Sequence, residues 1–269
     1  EPGAALTVHL NYRRPFEWPA LLGFFAGRAT PGVEQVTGGG YYRTIRVNGR
    51  PGVIECRESK GRVRLRMHGI ATKDLFAVVR SAREMLDLDA PIDDIHDVLR
   101  KDRHLARLLR DRRGVRVPGA WDGFELTVRA ILGQQVSVQA ATTLAGRIAA
   151  RYGEPLALPA SLSGRGDITL ERLFPAPEKL ARARFNRIGL VTSRAATIRR
   201  VAAAVVSGDV HFDDSQEPDK LRASLMAIRG IGEWTAEYVA MRALKYPDAF
   251  PASDLGLLKA VDPNRKLNT

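Results

Sequence analysis

The sequence predicts an α+β fold, in which an N-terminal antiparallel sheet with helices is followed by an all-helical region. Short segments of alternating polar and apolar residues, such as Leu6–Leu10 and Tyr42–Val47, are found before residue 88. From residue 89 onward, apolar residues recur at helical spacing instead. A Gly-Ile-Gly turn at residues 230–232 lies between two of these helical segments.

The first 88 residues contain strand and helix patterns in alternation. Strands are predicted over Leu6–Leu10, Tyr42–Val47, Val53–Arg57 and Arg62–Met67, and helices over Trp18–Arg28 and Lys73–Leu86. The dipeptide Asn48-Gly49 is typical of a hairpin turn. In the last strand, arginines at positions 62, 64 and 66 alternate with apolar residues, so one face is cationic. We interpret that face as solvated, with a contribution to nucleic-acid binding as the alternative.

The remaining residues, 89–269, are expected to be helical throughout. Helices are predicted over residues 92–109, 121–132, 137–152, 178–183, 193–207, 220–229 and 234–244, and another begins near Ser253. Gly133-Gln134-Gln135 interrupts the pattern between two of them. We therefore predict a domain boundary at residue 88.

Charge and composition limit the classes of function. The chain of 269 residues has 42 Lys and Arg against 30 Asp and Glu, a net charge of +12 that favours association with nucleic acid. A single cysteine, Cys56, excludes a disulfide framework and favours a reducing, cytoplasmic location. The five histidines lack metal-ligand spacing, and the sequence has no apolar run long enough to cross a membrane.

The glycines at 230 and 232 predict a phosphate-binding turn. Glycine permits positive φ angles and lets a ligand approach the backbone. Main-chain amides of Gly230, Gly232 and the residues after them would lie at a helix N-terminus, where anions bind. The carbonyls of Met226, Ile228 and Gly230 point the other way and could hold a monovalent cation, Na⁺ or K⁺. The alternative is a plain corner between two helices.

Asp254 follows Trp234 by twenty residues and precedes another predicted helix. An aspartate at that position is commonly an N-cap. The same place suits catalysis, because a fixed anion could stabilise positive charge on a sugar ring or orient an attacking water.

Four segments together resemble the helix–hairpin–helix DNA glycosylase superfamily, and within it the 3-methyladenine DNA glycosylase II (AlkA) family. They are residues 23–28 (GFFAGR), 129–138 (RAILGQQVSV), 230–238 (GIGEWTAEY) and 251–254 (PASD). The resemblance implies a TATA-binding-protein-like N-terminal sheet and two helical subdomains. One would comprise residues 119–246 with the hairpin at 221–244, and the other residues 89–118 plus 247–269.

The resemblance also implies roles for individual residues. Asp254 would be the catalytic aspartate. Trp234, Tyr238 and Phe24 would line the base pocket, with ordinary core packing as the alternative for the aromatics. Gly230, Gly232 and Thr235 would hold the DNA backbone. The loop at Gln134 and Gln135 would supply the side chain that enters the duplex; at that place, the family often has a large apolar residue.

One position separates branches of the superfamily. Bifunctional members carry a nucleophilic lysine just after the turn, and this chain has Trp234 there. The iron–sulfur branch needs four cysteines after the aspartate, and this chain has none there. The expectation is a monomeric, monofunctional glycosylase associated with the bacterial nucleoid, which needs no cofactor and acts on double-stranded DNA with alkylated bases. The alternative is a truncated, non-catalytic DNA-binding module, since the family continues with further helices and this chain has fifteen residues after Asp254.

Overall fold

The computed structural model describes residues 5–213 and 216–262, which form two compact units. The first unit contains the described residues up to Trp121 together with residues 135–176, and the second contains residues 122–134 and those from 177 onward. This division differs from the predicted boundary at residue 88. It also separates residues 89–118 from residues 247–262, which were predicted to share a subdomain, and residues 263–269 lie outside the described residues.

The first unit is built on an antiparallel sheet, as predicted. Its strands are β1 (Leu6–Leu10), β2 (Glu34–Thr37), β3 (Gly40–Val47), β4 (Arg50–Ser59) and β5 (Arg62–His68), in the order β1-β5-β4-β3-β2. The β3–β4 hairpin turns at Asn48 and Gly49, where φ is +47° and +78°. Strand β2 is too short for its alternation to be recognised in the sequence, and it was not predicted.

The helices, numbered along the chain, follow the predicted pattern closely. They are α1 (Trp18–Ala26), α2 (Leu75–Leu86), α3 (Ile92–Leu99), α4 (Arg103–Leu109), α5 (Gly123–Gly133), α6 (Val138–Tyr152), α7 (Ala160–Ser163), α8 (Pro177–Ala181), α9 (Thr192–Ser207), α10 (Pro218–Met226), α11 (Glu233–Ala243) and α12 (Leu255–Val261). The single helix predicted over 92–109 is two helices, because the Asp102 side chain caps α4 by accepting the amides of His104 and Leu105. None of the described helices combines the length and apolarity that a bilayer crossing requires.

The two faces of the sheet are covered differently. One face packs on α1 and α2 and buries Leu65, Met67 and Ile54. On the other face, Tyr42 and Val53 pack against apolar residues 162, 168 and 170. Further hydrogen bonds join this segment to the sheet, among them Thr44 Oγ1 to the carbonyl of Arg172 at 2.8 Å. These contacts explain why residues 135–176 belong to the first unit although no strand pattern marks them.

Cys56 lies in the core between β3 and β5. It is fully buried, and burial raises the pKa of its thiol to about 12. This cysteine is therefore a packing residue.

The second unit is helical, and α10 and α11 form the predicted hairpin. Helix α11 packs against both α10 and α5, while α9 packs against α5 and α8. The buried faces include Ile131 and Leu132 of α5, Ile198 of α9 and Leu225 of α10. This packing holds the turn between α10 and α11 on a well-buried support.

Candidate active site

The two glycines of the hairpin turn have different conformations. Gly230 has φ of +101°, and a Cβ atom there would lie 2.1 Å from Oγ1 of Thr197. Gly232 has φ of −101°, which any residue adopts, and a Cβ atom there would meet nothing within 4 Å. Gly230 is therefore required by the fold, whereas the missing side chain of Gly232 leaves the turn open to a ligand.

The open side of the turn is the N-terminus of α11. The carbonyl of Gly232 accepts the amides of Thr235 at 3.1 Å and Ala236 at 3.2 Å. The amides of Glu233 and Trp234 precede them in the first turn, where a helix provides no carbonyl partner. With the helix dipole, these amides form a site suited to a phosphate group.

Side chains from α5, α9 and α11 support this turn. Gln134 Nε2 donates to the carbonyl of Gly230 and to Oγ1 of Thr235, both at 3.1 Å, and Thr235 is 1% exposed. Thr197 Oγ1 donates to the carbonyl of Arg229 at 3.2 Å. The side chains of Gln134 and Thr235 therefore brace the hairpin turn. The DNA contacts expected of these two residues stay a prediction.

Gln135 remains a candidate for the residue that enters the duplex. It is exposed and has φ of +55°, a conformation that non-glycine residues adopt at some energetic cost. Its neighbour Gln134 is hydrogen-bonded to the hairpin turn, so Gln135 is the more accessible of the predicted pair.

The carbonyls predicted to hold a cation already accept hydrogen bonds. The carbonyl of Ile228 accepts the amide of Ile231 at 3.0 Å, and that of Gly230 accepts Gln134 Nε2. A carbonyl oxygen has two lone pairs, so each keeps one for a further ligand. Neutral main-chain oxygens are ligands that fit Na⁺ or K⁺.

Asp254 is the predicted N-cap, and its second carboxylate oxygen has a partner on another helix. Its Oδ1 accepts the amides of Gly256 at 2.8 Å and Leu257 at 3.1 Å, which makes it the N-cap of α12. Its Oδ2 accepts Nε1 of Trp234 at 2.8 Å. Three donors thus hold a half-buried carboxylate in one orientation, with Oδ2 directed to the first turn of α11.

The pocket aromatics lie next to this carboxylate. The rings of Trp234 and Tyr238 stack with centroids 5.2 Å apart and an interplanar angle of 16°. Arg242 donates to the Tyr238 hydroxyl, and its guanidinium lies 5.3 Å from the ring centroid. Trp234 and Tyr238 are half-buried, so they differ from ordinary core aromatics. Phe24 belongs to the first unit, where the guanidinium of Arg28 lies 4.0 Å from its ring, and its place in a base pocket stays a prediction.

Glu237 positions the Asp254 segment, and the sequence reasoning missed it. This buried carboxylate pairs with Arg222 of α10 and accepts the amide of Phe250 at 3.0 Å. It therefore ties both hairpin helices to the chain that leads into Asp254. The signal in the sequence was an acid on the apolar face of α11, between Ala236 and Val239.

Two arginines of α9 add positive charge around the turn. Arg194 donates to the carbonyl of Gln134, and Arg200 donates to the carbonyl of Arg229 at 3.3 Å. Arg200 is exposed and Arg194 is half-exposed. Their charges favour an anion at the N-terminus of α11.

A fold with an antiparallel sheet unit, a helical unit and a Gly-Ile-Gly hairpin beside an aspartate defines a class of DNA-repair proteins. Residues 7–122 match the model of the AlkA N-terminal domain, and residues 128–264 match that of the HhH-GPD superfamily of base excision DNA repair proteins. The chain belongs to the HhH-GPD superfamily and carries the AlkA N-terminal domain.

Individual relatives agree with this assignment. The chain is 36% identical over 252 residues to a probable bifunctional transcriptional activator/DNA repair enzyme AlkA of Mycobacterium tuberculosis, covering 94% of this chain and 49% of that protein. It is 32% identical over 250 residues to DNA-3-methyladenine glycosylase 2 of Escherichia coli, covering 91% and 83%. A solved structure of the 3-methyladenine DNA glycosylase from Archaeoglobus fulgidus superposes with a TM-score of 0.80 at 26% identity, covering 96% and 86%. The chain thus spans about half the length of the mycobacterial relative.

Proposed function

We propose that this chain is a monofunctional DNA glycosylase that releases alkylated purines such as 3-methyladenine from duplex DNA and leaves an abasic site. The observation that carries the proposal is the 2.8 Å hydrogen bond between Trp234 Nε1 and Asp254 Oδ2, next to the hairpin turn. It places an oriented carboxylate beside an aromatic stack at an anion-binding helix N-terminus. The names of the relatives in Escherichia coli and Archaeoglobus fulgidus support the substrate class.

Binding would begin at the DNA backbone. A phosphate would accept the amides at the start of α11, and an alkali cation at the carbonyls of Met226, Ile228 and Gly230 would add positive charge beside it. A base inside a duplex is out of reach, so the nucleotide must rotate out of the stack at a cost of a few kcal/mol. Gln135 would fill the space that the nucleotide leaves.

The aromatic stack accounts for the preference for alkylated bases. Alkylation at a ring nitrogen makes a purine cationic, and a cationic ring is attracted to an aromatic face such as that of Trp234, which stacks on Tyr238. The positive charge also makes the base a better leaving group. Much of the discrimination therefore comes from the chemistry of the lesion, and the pocket does not need to fit one base closely.

Asp254 would act on the sugar. As the glycosidic bond breaks, its electron pair leaves with the base and positive charge develops on the deoxyribose ring. The Asp254 carboxylate stabilises that charge and orients the water that adds to the sugar carbon. The same carboxylate can accept the proton that this water loses. Trp234 stands where bifunctional members carry lysine, so no amine forms a Schiff base and the strand stays intact.

The test is base release from methylated duplex DNA by the wild type and by Asp254→Asn. Asparagine is an equally good N-cap, so the variant should keep its fold and its DNA affinity, although its amide NH2 in place of Oδ2 cannot accept the hydrogen bond from Trp234 Nε1. We expect the single-turnover rate to fall by about 100-fold or more. Asp102→Asn, which changes another capping aspartate, is the matched control and should release base at the wild-type rate.

The possible outcomes distinguish a monofunctional enzyme, a non-catalytic binding module and a bifunctional enzyme. Equal release by wild type and Asp254→Asn would rule out the catalytic role of Asp254. DNA binding without release by either protein would favour a non-catalytic binding module. Borohydride treatment during the reaction should trap no covalent protein–DNA adduct, and an adduct would show a bifunctional enzyme.

A further inference from the structure

The face of the sheet opposite the α1–α2 core carries a cluster of arginines that the hairpin chemistry does not use. Arg57 of β4 pairs in register with Arg64 of β5, and Glu55 pairs with Arg66 one position along. Arg62 follows on the same face of β5, opposite Ser59. Arg165, from the segment that covers part of this face, reaches the same place. We call these residues the arginine face: Arg57, Arg62, Arg64, Arg66 and Arg165.

Four members of the arginine face surround one buried carboxylate. Glu55 is 1% exposed, and its oxygens lie 3.3 Å from Arg66, 3.5 Å from Arg64, 3.7 Å from Arg57 and 3.9 Å from Arg165. Burial by itself raises the pKa of Glu55. The facing imidazole of His68 and the charges of Arg66 and Arg64 outweigh burial and lower the pKa to about 2, so the carboxylate is charged at neutral pH.

The guanidinium groups of the arginine face nevertheless outnumber the carboxylates that pair with them. Among the described residues, the carboxylates in contact with these five guanidiniums are Glu55 and Asp167, which leaves three positive charges in excess. The contact between Arg66 and Glu55, at 3.3 Å, has hydrogen-bonding geometry, and those of Arg64, Arg57 and Arg165, at 3.5 to 3.9 Å, are ion pairs. Each guanidinium has five N–H donors. Four of these side chains are 29–35% exposed and Arg62 is exposed, so solvent reaches all five side chains, although Nε of Arg64 is itself buried.

Two of these guanidiniums, those of Arg165 and Arg57, are also held in place before any ligand arrives. Arg165 donates to the Tyr42 hydroxyl at 2.9 Å and to Asp167 at 2.9 Å. Arg57 donates to the same hydroxyl at 3.2 Å and also to the carbonyl of Gly38. Tyr42 is fully buried in the sheet. Binding an anion here would cost less side-chain entropy than ordering free surface arginines would.

We propose that the arginine face binds the phosphate backbone of duplex DNA, as a contact surface in addition to the hairpin. Side chains two apart on β5 are about 7 Å from each other, and those on adjacent strands are about 5 Å apart, so the donors form a flat strip. Guanidiniums bind phosphate oxygens in pairs. The rest of the uncovered face is polar, with Thr7, His9 and Ser59 beside the arginines. Among the described residues it has no large exposed apolar side chain, which a protein partner would need at the centre of an interface.

The experiment compares full-length variants binding to an undamaged duplex over a range of salt concentrations. The triple variant Arg62→Gln, Arg64→Gln, Arg66→Gln should bind more weakly, and the slope of log K against log salt should fall in magnitude by about 2 to 3. A triple variant with lysine at the same positions keeps the charge and should keep most of the slope. The lysine variant should retain the slope, and the glutamine variant should melt at the wild-type temperature. These two results would show that the glutamine variant binds DNA more weakly without being unfolded.

The matched control removes the same charge from another surface of the first unit. Arg103→Gln, Arg107→Gln, Arg110→Gln changes three exposed arginines, two in α4 and one at its C-cap, and we expect its slope to change by less than about 1. An unchanged slope in the sheet variant, or an equal fall in the α4 variant, would overturn the proposal. Undamaged DNA is used, so this result stands whether or not the chain releases bases. If the chain does release bases, the triple glutamine variant of the arginine face should release them at the wild-type single-turnover rate when the protein is saturating.

Discussion

At the scale of single residues, the hairpin turn separates a glycine needed for folding from a glycine needed for binding. Gly230→Ala would place a methyl group 2.1 Å from Thr197 Oγ1 at a φ of +101°, and we expect it to destabilise the second unit by about 2 kcal/mol or more. Gly232→Ala meets no atom within 4 Å at a φ of −101°, so it should unfold at the wild-type temperature. Its methyl group should weaken DNA binding about tenfold, because it stands beside the amides that meet the phosphate.

Thermal unfolding and DNA affinity, measured on both alanine variants, check this distinction. Wild-type affinity in Gly232→Ala would contradict the assignment of the phosphate site. An unchanged unfolding temperature in Gly230→Ala would contradict the close contact with Thr197.

At the scale of elements, the loop between α5 and α6 assigns different roles to two adjacent glutamines. Gln134→Ala removes the hydrogen bonds from Gln134 Nε2 to the carbonyl of Gly230 and to the buried Thr235 hydroxyl. We expect this change to lower the free energy of unfolding by about 1 to 3 kcal/mol. Gln135→Ala, at the exposed position, should leave stability unchanged and slow base release. Each variant is the control for the other, with thermal unfolding and single-turnover release as the two measurements. Equal effects of both changes on stability would show that Gln134 is not a brace.

The Asp254 segment illustrates the same point about elements. The residues next to Asp254 in the sequence predict a helix N-cap, and Oδ1 of Asp254 does cap α12. The role of Oδ2 depends on where α11 places Trp234 and on how Glu237 holds Phe250. The orientation of this carboxylate is therefore set by contacts between elements that are distant in the chain.

At the scale of the whole molecule, the buried Glu55 makes the stability of the first unit depend on pH. Its pKa is lowered from 4.5 to about 2, so its ion pairs stabilise the fold above pH 4.5 and are lost as the pH falls towards 2. Glu55→Gln should therefore lower the free energy of unfolding on the order of 2 kcal/mol at pH 7, allowing for screening of the part-exposed arginines. The difference from wild type should shrink as pH falls from 4.5 to 2.

Denaturant unfolding across this pH range tests the linkage. The control is Glu154→Gln, which removes a 53% exposed partner of Arg46 and should have a small effect at every pH. A difference between Glu55→Gln and wild type that stays constant from pH 7 to pH 2 would show that Glu55 is not the group that titrates.

Much of the fold was predictable because it depends on local periodicity. The alternation of β1, β3, β4 and β5, the Asn48-Gly49 turn and the helical spacing of α5, α9 and α11 each lie within one short window. Strand β2 and the break between α3 and α4 were missed, because a four-residue strand and a single capping aspartate produce little periodic signal.

The sequence by itself determined the class of protein. The sequence contains, in this order, the Gly-Ile-Gly turn, a tryptophan in place of lysine, and Asp254. The N-terminal strand pattern predicts the accompanying sheet. Only the tertiary structure decided which residues act at the surface and which act beneath it. It buried Thr235, joined Gln134 to the hairpin turn, brought Glu237 to the Asp254 segment and gathered four arginines around Glu55. The physical reason is that burial and hydrogen-bond partners depend on packing between distant segments, which local patterns do not contain.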